Sequence, residues 1–371
     1  MKCLRPITEI CQRLCITVFQ DKQRIKTAVW VVDPEQPDPQ VMARAGSVIR
    51  GGGLVAFPTE TVYGLGANAL DANAVRGVFV AKGRPQDNPL IVHIGAVRDL
   101  EGVISEITPM AEKLIPLFWP GPLTLVLPRD PAIPAEVTAG LETVGVRMPA
   151  HPVALSLVRA SGVPVAAPSA NASGRPSPTH AGHVLTDLNG RIEAIIDAGP
   201  SALGVESTVL DVTGRYPVVL RPGGVTVEDI EAVLGVEVRV AGEQNEVPRS
   251  PGMKYRHYAP RADLLLVTGP PDAVRREILE LAETDRGRRR VVVLARVESA
   301  GDYPGLEVVP CGRRDDPDDV AAGLYAALRQ CDAAGADLIL AEGVEVRGVG
   351  HAVMNRLRKA AKEIIRLGAE E

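Results

Sequence analysis

The chain has 371 residues, a length that exceeds one typical domain and fits two. Its 36 glycines and 31 prolines follow no triplet period, which excludes a fibrous protein, and a formal charge of −5 argues against a strongly basic nucleic-acid binder. No apolar run is long enough to span a membrane, and the five cysteines (Cys3, Cys11, Cys15, Cys311 and Cys331) match neither a zinc set nor a disulfide framework, so a reducing cytoplasm is the expected setting.

The opening MKCLRPITEICQRLC is interrupted by charge and lacks the apolar core of a signal peptide; residues 1–26 are read as an extension. Thr27 to Val32 reads as a strand. Asp38 caps a helix that has Pro39 in its first turn, Val41, Met42, Ala45, Val48 and Ile49 on its apolar side, and Gly51 to Gly53 at its end. The chain is organised around residues 51–69, GGGLVAFPTETVYGLGANA. The strand Leu54 to Phe57 stops at Pro58, and Thr59, Glu60, Thr61, Tyr63, Gly64, Gly66 and Asn68 come after it. Hydroxyls, a carboxylate and glycines at a strand end stand where open α/β sheets place ligands; a tight turn with polar tips is the plainer alternative.

Asp71 starts a second helix, which ends in AKGRPQDNPLIVHI at 81–94. Lys82 and Arg84 flank Gly83, with Pro85, Asn88 and Pro89 beyond and the strand Leu90 to Ile94 next. Two cations on such a loop are either a solvated turn or a grip on phosphate or carboxylate oxygens. His93, in the apolar strand, reads as a hydrogen-bonded core residue. A helix over 108–119 precedes the strands Leu123 to Leu127 and Val144 to Met148. The latter sets Arg147 among apolar neighbours, where it needs a structural partner or a substrate carboxylate.

The helix Pro152 to Ala160 and the strand Val163 to Ala167 lead into PSANASGRPSPT at 168–179. Ser169, Asn171, Ser173 and open backbone N–H groups there could cradle phosphate, although neither GxGxxG nor GxxxxGK[ST] is present. A helix capped near Ser177 is expected next. Glu206-Ser207-Thr208 opens the strand VLDV, Val218 to Leu220 runs into Arg221-Pro222-Gly223-Gly224, and a helix over 227–234 closes the domain. The count is seven or eight strands with five or more short helices, arranged as a mixed, twisted α/β sheet.

Residues 247–262, VPRSPGMKYRHYAPRA, contain no acid and set Tyr255 and Tyr258 beside Arg249, Lys254, Arg256 and His257. They read as a strap over an anionic site, with an exposed linker or an RNA contact as alternatives. Beyond them, strands at Leu264 to Val267, Arg290 to Leu294, Leu306 to Val309 and Asp337 to Leu340 alternate with helices over 271–284, 316–330 and 350–366. This order suggests a small Rossmann-like three-layer domain. Glu342, Gly343, Gly348, Gly350 and Asn355 read as structural, and His351 as part of a helix start.

The first domain has no G-x-S-x-G elbow, no cysteine and no HExxH. Lys82, Arg84, Arg147 and Arg221, with Thr59, Ser169, Asn171, Ser207 and Thr208, are rich in cations and hydroxyls and poor in nucleophiles. Such a set suits bound reactants that attack one another while the protein neutralises charge, as in phosphoryl or nucleotidyl transfer from ATP. The residues alone lead to an α/β enzyme with an anionic substrate.

A resemblance carries further. PTETVYGLG (58–66), KGRP with NPL (82–90), WPGPLT (119–124), VGVRMP (144–149), PSANASG (168–174), ESTVLD (206–211), RPGG (221–224), SPGMKYRHYAP (250–260) and HAVMNRLRKAA (351–361) resemble, in order, the threonylcarbamoyl-AMP synthase family in its longer two-domain form. The resemblance implies a twisted mixed-sheet YrdC-like catalytic domain over 27–240, a linker across its cleft over 241–262, and a C-terminal Rossmann-like α/β domain over 263–371. It implies a nucleotidyltransferase that makes threonylcarbamoyl-AMP and pyrophosphate from L-threonine, bicarbonate or CO2, and ATP, usually with Mg2+, whose ligands are not readable. Lys82 and Arg84 would be catalytic and hold phosphates and the carbamate. Asn88, Ser169, Asn171, Ser207, Arg221, His257 and Tyr258 would surround the nucleotide, and Thr59, Tyr63, Arg147 and Thr208 the threonine and bicarbonate. A separate complex would use the product to modify tRNA, direct tRNA binding would be weak, and the protein would be a monomer or dimer. The rival readings are an RNA-binding YrdC-like protein without synthase activity and a carbamoyl transferase accessory domain of the kind used in hydrogenase maturation.

Overall fold

Several helix starts in this chain are set by short-range capping. In the computed structural model, which describes residues 25–241 and 257–368, the Asp38 side chain accepts from Gln40 N and Val41 N ahead of α1 (Pro39–Arg50). Asp71 accepts from Asn73 N ahead of α2 (Ala72–Lys82). Each carboxylate satisfies amides that have no partner inside the helix. The extension at 1–24 and most of the strap, 242–256, lie outside the described residues.

Eleven strands of the described residues form one mixed sheet. They are β1 (Ala28–Val31), β2 (Val55–Phe57), β3 (Gly64–Asn68), β4 (Ile91–His93), β5 (Leu123–Pro128), β6 (Thr143–Arg147), β7 (Val165–Ala166), β8 (Ala194–Asp197), β9 (Thr208–Asp211), β10 (Val218–Arg221) and β11 (Arg239–Val240), in the order β1-β8-β2-β3-β7-β4-β6-β5-β9-β10-β11. The expected seven or eight strands are therefore too few, since β3, β8 and β11 were not foreseen. β3 was hidden by its glycines. It runs antiparallel to β2, and a Cβ on Gly66 would stand 2.9 Å from Phe57 Cε1 and from Val165 Cγ1. Glycine is there to let neighbouring side chains cross the strand.

Helices α3 (Pro109–Phe118), α4 (Ala135–Thr138), α5 (Pro152–Ser161), α6 (Ala181–Leu188) and α7 (Val227–Leu234) complete this part. α6 starts at Ala181, later than the expected cap near Ser177. The buried Ser177 hydroxyl donates instead to Glu206 Oε1.

The second sheet is wholly parallel, in the order β14-β13-β15-β12-β16. Its strands are β12 (Asp263–Thr268), β13 (Val291–Ala295), β14 (Glu307–Pro310), β15 (Leu338–Glu342) and β16 (Glu363–Arg366), joined through α8 (Pro271–Thr284), α9 (Pro317–Ala333) and α10 (Gly350–Ala360). The last helix was expected to reach 366 but stops at Ala360. Ala361 is extended, and Lys362 N donates to Leu264 O at 2.8 Å. Ile364 fits helical spacing, yet the open edge of β12 supplies a hydrogen-bond ladder, and β-branched Ile364 and Ile365 suit a strand.

The two parts meet through a common apolar cluster, in which Val62 and Val205 pack with Val320, Leu324, Tyr325, Val353 and Met354. Arg356 Nε donates to Glu206 Oε2 at 2.8 Å and Nη1 to Pro222 O at 2.8 Å. Arg329 Nη2 pairs with Asp187 Oδ2 at 2.7 Å, and Arg175 Nη2 with Asp332 Oδ2 at 3.3 Å.

The RPGG turn lies backbone against backbone on the start of β9: a Cβ on Gly223 would stand 2.2 Å from Thr208 N and 2.4 Å from Glu206 O. Gly223→Ala should therefore cost about 1–3 kcal/mol of stability through overpacking. Urea unfolding should show a lower midpoint at an unchanged m-value.

Candidate functional site

The turn after β2, the end of α2, the loop after β7, the start of β9, the turn after β10 and residues 257–258 converge on one cleft of about 60 Å3. The cleft wall is built by short backbone clamps. Leu65 N donates to Pro168 O at 2.8 Å, Ala170 N to Tyr63 O at 2.8 Å, and Ser173 N to Lys82 O at 2.8 Å. The loop 168–174 is thereby pinned to both the 59–64 turn and the end of α2. This also corrects an expectation. The N–H groups of Ala170, Ala172 and Ser173 are not open to an anion, since Ala172 N is likewise bonded, to Asp187 Oδ2 at 3.2 Å.

The loop instead aims the cations. Lys82, 3% exposed, donates from Nζ to Ser169 O and to Asn171 O at 2.6 Å. Burial, and next the charge of Arg84, hold its pKa well below the usual lysine value. Arg84 Nη2 donates to Asn88 O and Pro89 O, each at 3.2 Å. Burial lowers Arg84 to about 10, with Tyr258 opposing the shift and Arg221 adding to it. Arg221 donates to Ser207 O from Nε at 3.1 Å and from Nη2 at 3.0 Å, and to Ser207 Oγ at 3.1 Å.

Arg147 pairs through Nη2 with Glu60 Oε1 at 2.6 Å, and donates to Thr61 Oγ1 at 3.0 Å and to Gly121 O at 3.1 Å. It has a structural partner and still lines the cleft. His93 lines it too. Burial, then the charge of Arg147, push His93 down to about 3 and keep it neutral.

Of the thirteen residues expected at the site, ten line the cleft: Thr59, Lys82, Arg84, Arg147, Ser169, Asn171, Ser207, Arg221, His257 and Tyr258. Tyr63, Thr208 and Asn88 do not. The fully buried Tyr63 donates its hydroxyl to Gly199 O at 2.6 Å, and Thr208 Oγ1 donates to Val225 O. Tyr63 stands in the turn just before β3 and Thr208 at the first position of β9, and each spends its hydroxyl on a carbonyl that does not line the cleft. Asn88 is buried, and its backbone carbonyl, through the bond from Arg84, is what serves the cleft.

Relatives with this architecture are known. The family described as "Telomere recombination" matches residues 47–223, and the one described as "Threonylcarbamoyl-AMP synthase, C-terminal domain" matches residues 225–362. The threonylcarbamoyl-AMP synthase of Bacillus subtilis is 53% identical over 91% of this chain and 98% of its own length. The chain belongs to the threonylcarbamoyl-AMP synthase family. The Pyrococcus abyssi member is 55% identical over 85% of this chain and 93% of its own length. The crystal structure of P. abyssi Sua5 complexed with L-threonine superposes with a TM-score of 0.87 at 52% identity, covering 92% of this chain and 100% of that one.

In this synthase-family chain the second domain reaches the cleft wall. Glu206, the carboxylate on that wall, accepts from Arg356, from Tyr325 OH at 2.8 Å and 3.1 Å, and from Ser177. Burial pushes the Glu206 pKa up, but the charges of Arg356 and Arg221 and its hydrogen bonds outweigh it, and it falls to about 2. Glu206 was not foreseen as a site residue. The signal was an acid opening a strand, but its partner lies 150 positions away. Arg175 also joins the wall unforeseen, and Thr61 and Ser173, from the two polar turns singled out in the sequence, line it as well.

Tyr258 has φ +62, a left-handed backbone that costs a non-glycine residue about 1–2 kcal/mol. The Tyr325 ring at 5.5 Å, the Arg356 guanidinium at 5.4 Å from its ring centroid and the bond from Ala259 N to Gly174 O at 2.8 Å hold it there. Strain of this kind gathers at functional sites. Burial, then Arg84 and Lys359, lower the neighbouring His257 to about 4.

Because the Glu206 pKa is depressed on folding from 4.5 to about 2, its contribution to stability is complete above pH 4.5 and is lost as pH falls toward 2. That loss should reach about 3 kcal/mol. Glu206→Gln should lack this acid-dependent component and be destabilised by about 3–5 kcal/mol at neutral pH, where Arg356 is left buried without its partner. Denaturant unfolding of both proteins across pH 2–7 checks this.

Proposed function

We propose that the cleft is where this chain converts L-threonine, bicarbonate and ATP to threonylcarbamoyl-AMP and pyrophosphate. The observation that carries the assignment is the convergence of Lys82, Arg84, Arg147 and Arg221 on one cleft that offers hydroxyls but no activated nucleophile. The threonine amine attacks bicarbonate carbon, losing a proton, and water departs to leave an N-carboxylate. An oxygen of that carboxylate attacks the α-phosphorus of ATP, the bond to the bridging oxygen breaks, and pyrophosphate carries away the electron pair. No covalent enzyme intermediate is needed.

Arg147, steadied by Glu60 and Gly121, faces the threonine carboxylate, with Thr59 and Thr61 beside it. Lys82, Arg84 and Arg221, each oriented by carbonyl oxygens, neutralise phosphate and carbamate charge. Ser169, Asn171 and Ser207 flank the nucleotide. Magnesium enters with ATP as part of the substrate. Glu206 is committed to Arg356, Tyr325 and Ser177, and no group of three or more His, Cys, Asp or Glu side chains among the described residues is placed to hold a metal. Phosphates and water would supply the metal ligands.

At about 60 Å3 the cleft is small beside the roughly 300–1,000 Å3 usual for ligand pockets. His257 and Tyr258, at the end of the strap, swing outward to admit ATP and return to exclude water from the reactive adenylate. The adenylate passes in the cytosol to a separate complex that modifies the adenosine next to the anticodon of tRNAs reading codons that begin with A.

Purified protein should release pyrophosphate from ATP only when threonine and bicarbonate are both supplied. ATP cleavage indifferent to threonine would refute the assignment. Lys82→Ala and Arg84→Ala should each lower turnover by roughly ten- to a thousand-fold. Salt-dependent tRNA binding without adenylate formation would favour the RNA-binding alternative.

A further inference from the structure

The second domain has a cavity of its own, about 540 Å3 in volume, which shares no lining residue with the cleft. Its place is set by topology. β12 and β15 are parallel neighbours. The chain leaving β12 enters α8, which packs on one face of the sheet against Val267, Val293, Leu338 and Leu340. The chain leaving β15 enters α10, which packs on the other face with Leu264, Leu266, Ile339 and Ala341. Where connections diverge to opposite faces, a crevice opens at the carboxyl ends of the strands, and ligands of open parallel sheets bind in such crevices. The connections at 268–271 and 343–350, with the start of α9, line this one.

The lining has two characters. Val320, Val344, Val346, Val353 and Met354 make it apolar on one side. Arg296, Arg314, Arg347 and Arg358 supply four guanidinium groups, against the carboxylates of Asp315 and Glu345. Two of the four are committed. Arg296 Nε pairs with Glu342 Oε2 at 3.1 Å, and Arg347 lies 3.8 Å from Glu345. Arg314 donates from its guanidinium to a neutral group, Ser299 Oγ at 3.2 Å, while Glu298 takes its backbone N–H. The half-buried Arg358 has no ion pair among the described residues. Among the described residues neither Arg314 nor Arg358 makes an ion pair with a carboxylate within 4 Å, although Glu298 lies near enough to feel the charge of Arg314, and two such guanidinium groups match a phosphate group of about two negative charges. The apolar side and the volume match the remainder of a nucleotide.

We propose that this crevice is a second ligand site, binding a nucleoside phosphate with its phosphate on Arg314 and Arg358 and its base against Val346 and Met354. Equilibrium dialysis of the full-length protein against ADP tests it. Two ADP should bind per chain. Arg314→Glu and Arg358→Glu should each weaken one class by roughly tenfold or more, and leave the other class and threonine-dependent turnover within about twofold of wild type. Lys82→Ala should weaken only the other class. Val346→Trp, at a position 43% exposed where folding is not at stake, fills the apolar side and should remove the same class as the arginine variants. A single ADP per chain that is lost in Lys82→Ala overturns the proposal and leaves the cleft assignment standing. Two ADP retained in Val346→Trp and in both arginine variants also overturns it. Pyrophosphate displacing this ADP as tightly as ADP itself would remove the nucleoside from the proposal.

Discussion

The buried pair between Glu206 and Arg356 is the interaction on which the rest of the site depends. Arg356 is fully buried, and it reaches Glu206, the carbonyl of Pro222 and the face of Tyr258 at once. Those three belong to the start of β9, the turn after β10 and the end of the strap. Desolvating two charges is costly, and a well-packed apolar pair would match their net stability. Their value here is in specification. The docking of the second domain pairs both charges, positions the cleft wall and holds Tyr258 in its left-handed conformation.

Within the cleft lining, cations outnumber carboxylates. Lys82, Arg84 and Arg221 point their donors at carbonyl oxygens of Ser169, Asn171, Asn88, Pro89 and Ser207. Carbonyl dipoles orient a cation without neutralising it, and the Glu206 carboxylate on the same wall attracts both Lys82 and Arg221. Arg147 differs, since Glu60 balances it. This division suits the proposed chemistry, in which one cation steadies the threonine carboxylate and three meet the triphosphate. The depressed pKa values of Lys82 and Arg84 have the same origin: side chains withdrawn from water and, after that, neighbouring cations.

The second domain is more than an appendage to the catalytic sheet. α9 brings Tyr325 and Arg329 to the first domain, and α10 brings Arg356. The other side of α10 offers Val353, Met354 and Arg358 to the crevice at the strand ends. One helix thus backs the wall of the cleft through Arg356 and lines the crevice itself.

What the sequence determined by itself was local. Asp38 and Asp71 begin helices because a carboxylate reaches amides two or three residues ahead. Lys82, Arg84, Ser169 and Asn171 were recognisable as site residues because each sits in a polar, glycine- or proline-rich turn beside an apolar strand. The tertiary structure decided the rest. It turned the glycines of 64–68 into a strand crossed by Phe57, gave residues 363–366 to the open edge of β12 rather than to a helix, and turned Tyr63 and Thr208 away from the cleft. It also engaged the amides of Ala170, Ala172 and Ser173 within the fold and joined Glu206 to Arg356 across 150 positions. Capping and turn geometry act over a few residues and so are written in consecutive letters. The facing of a side chain, the filling of a sheet edge and the pairing of remote charges depend on which surfaces dock, and that is settled only when the whole chain has packed.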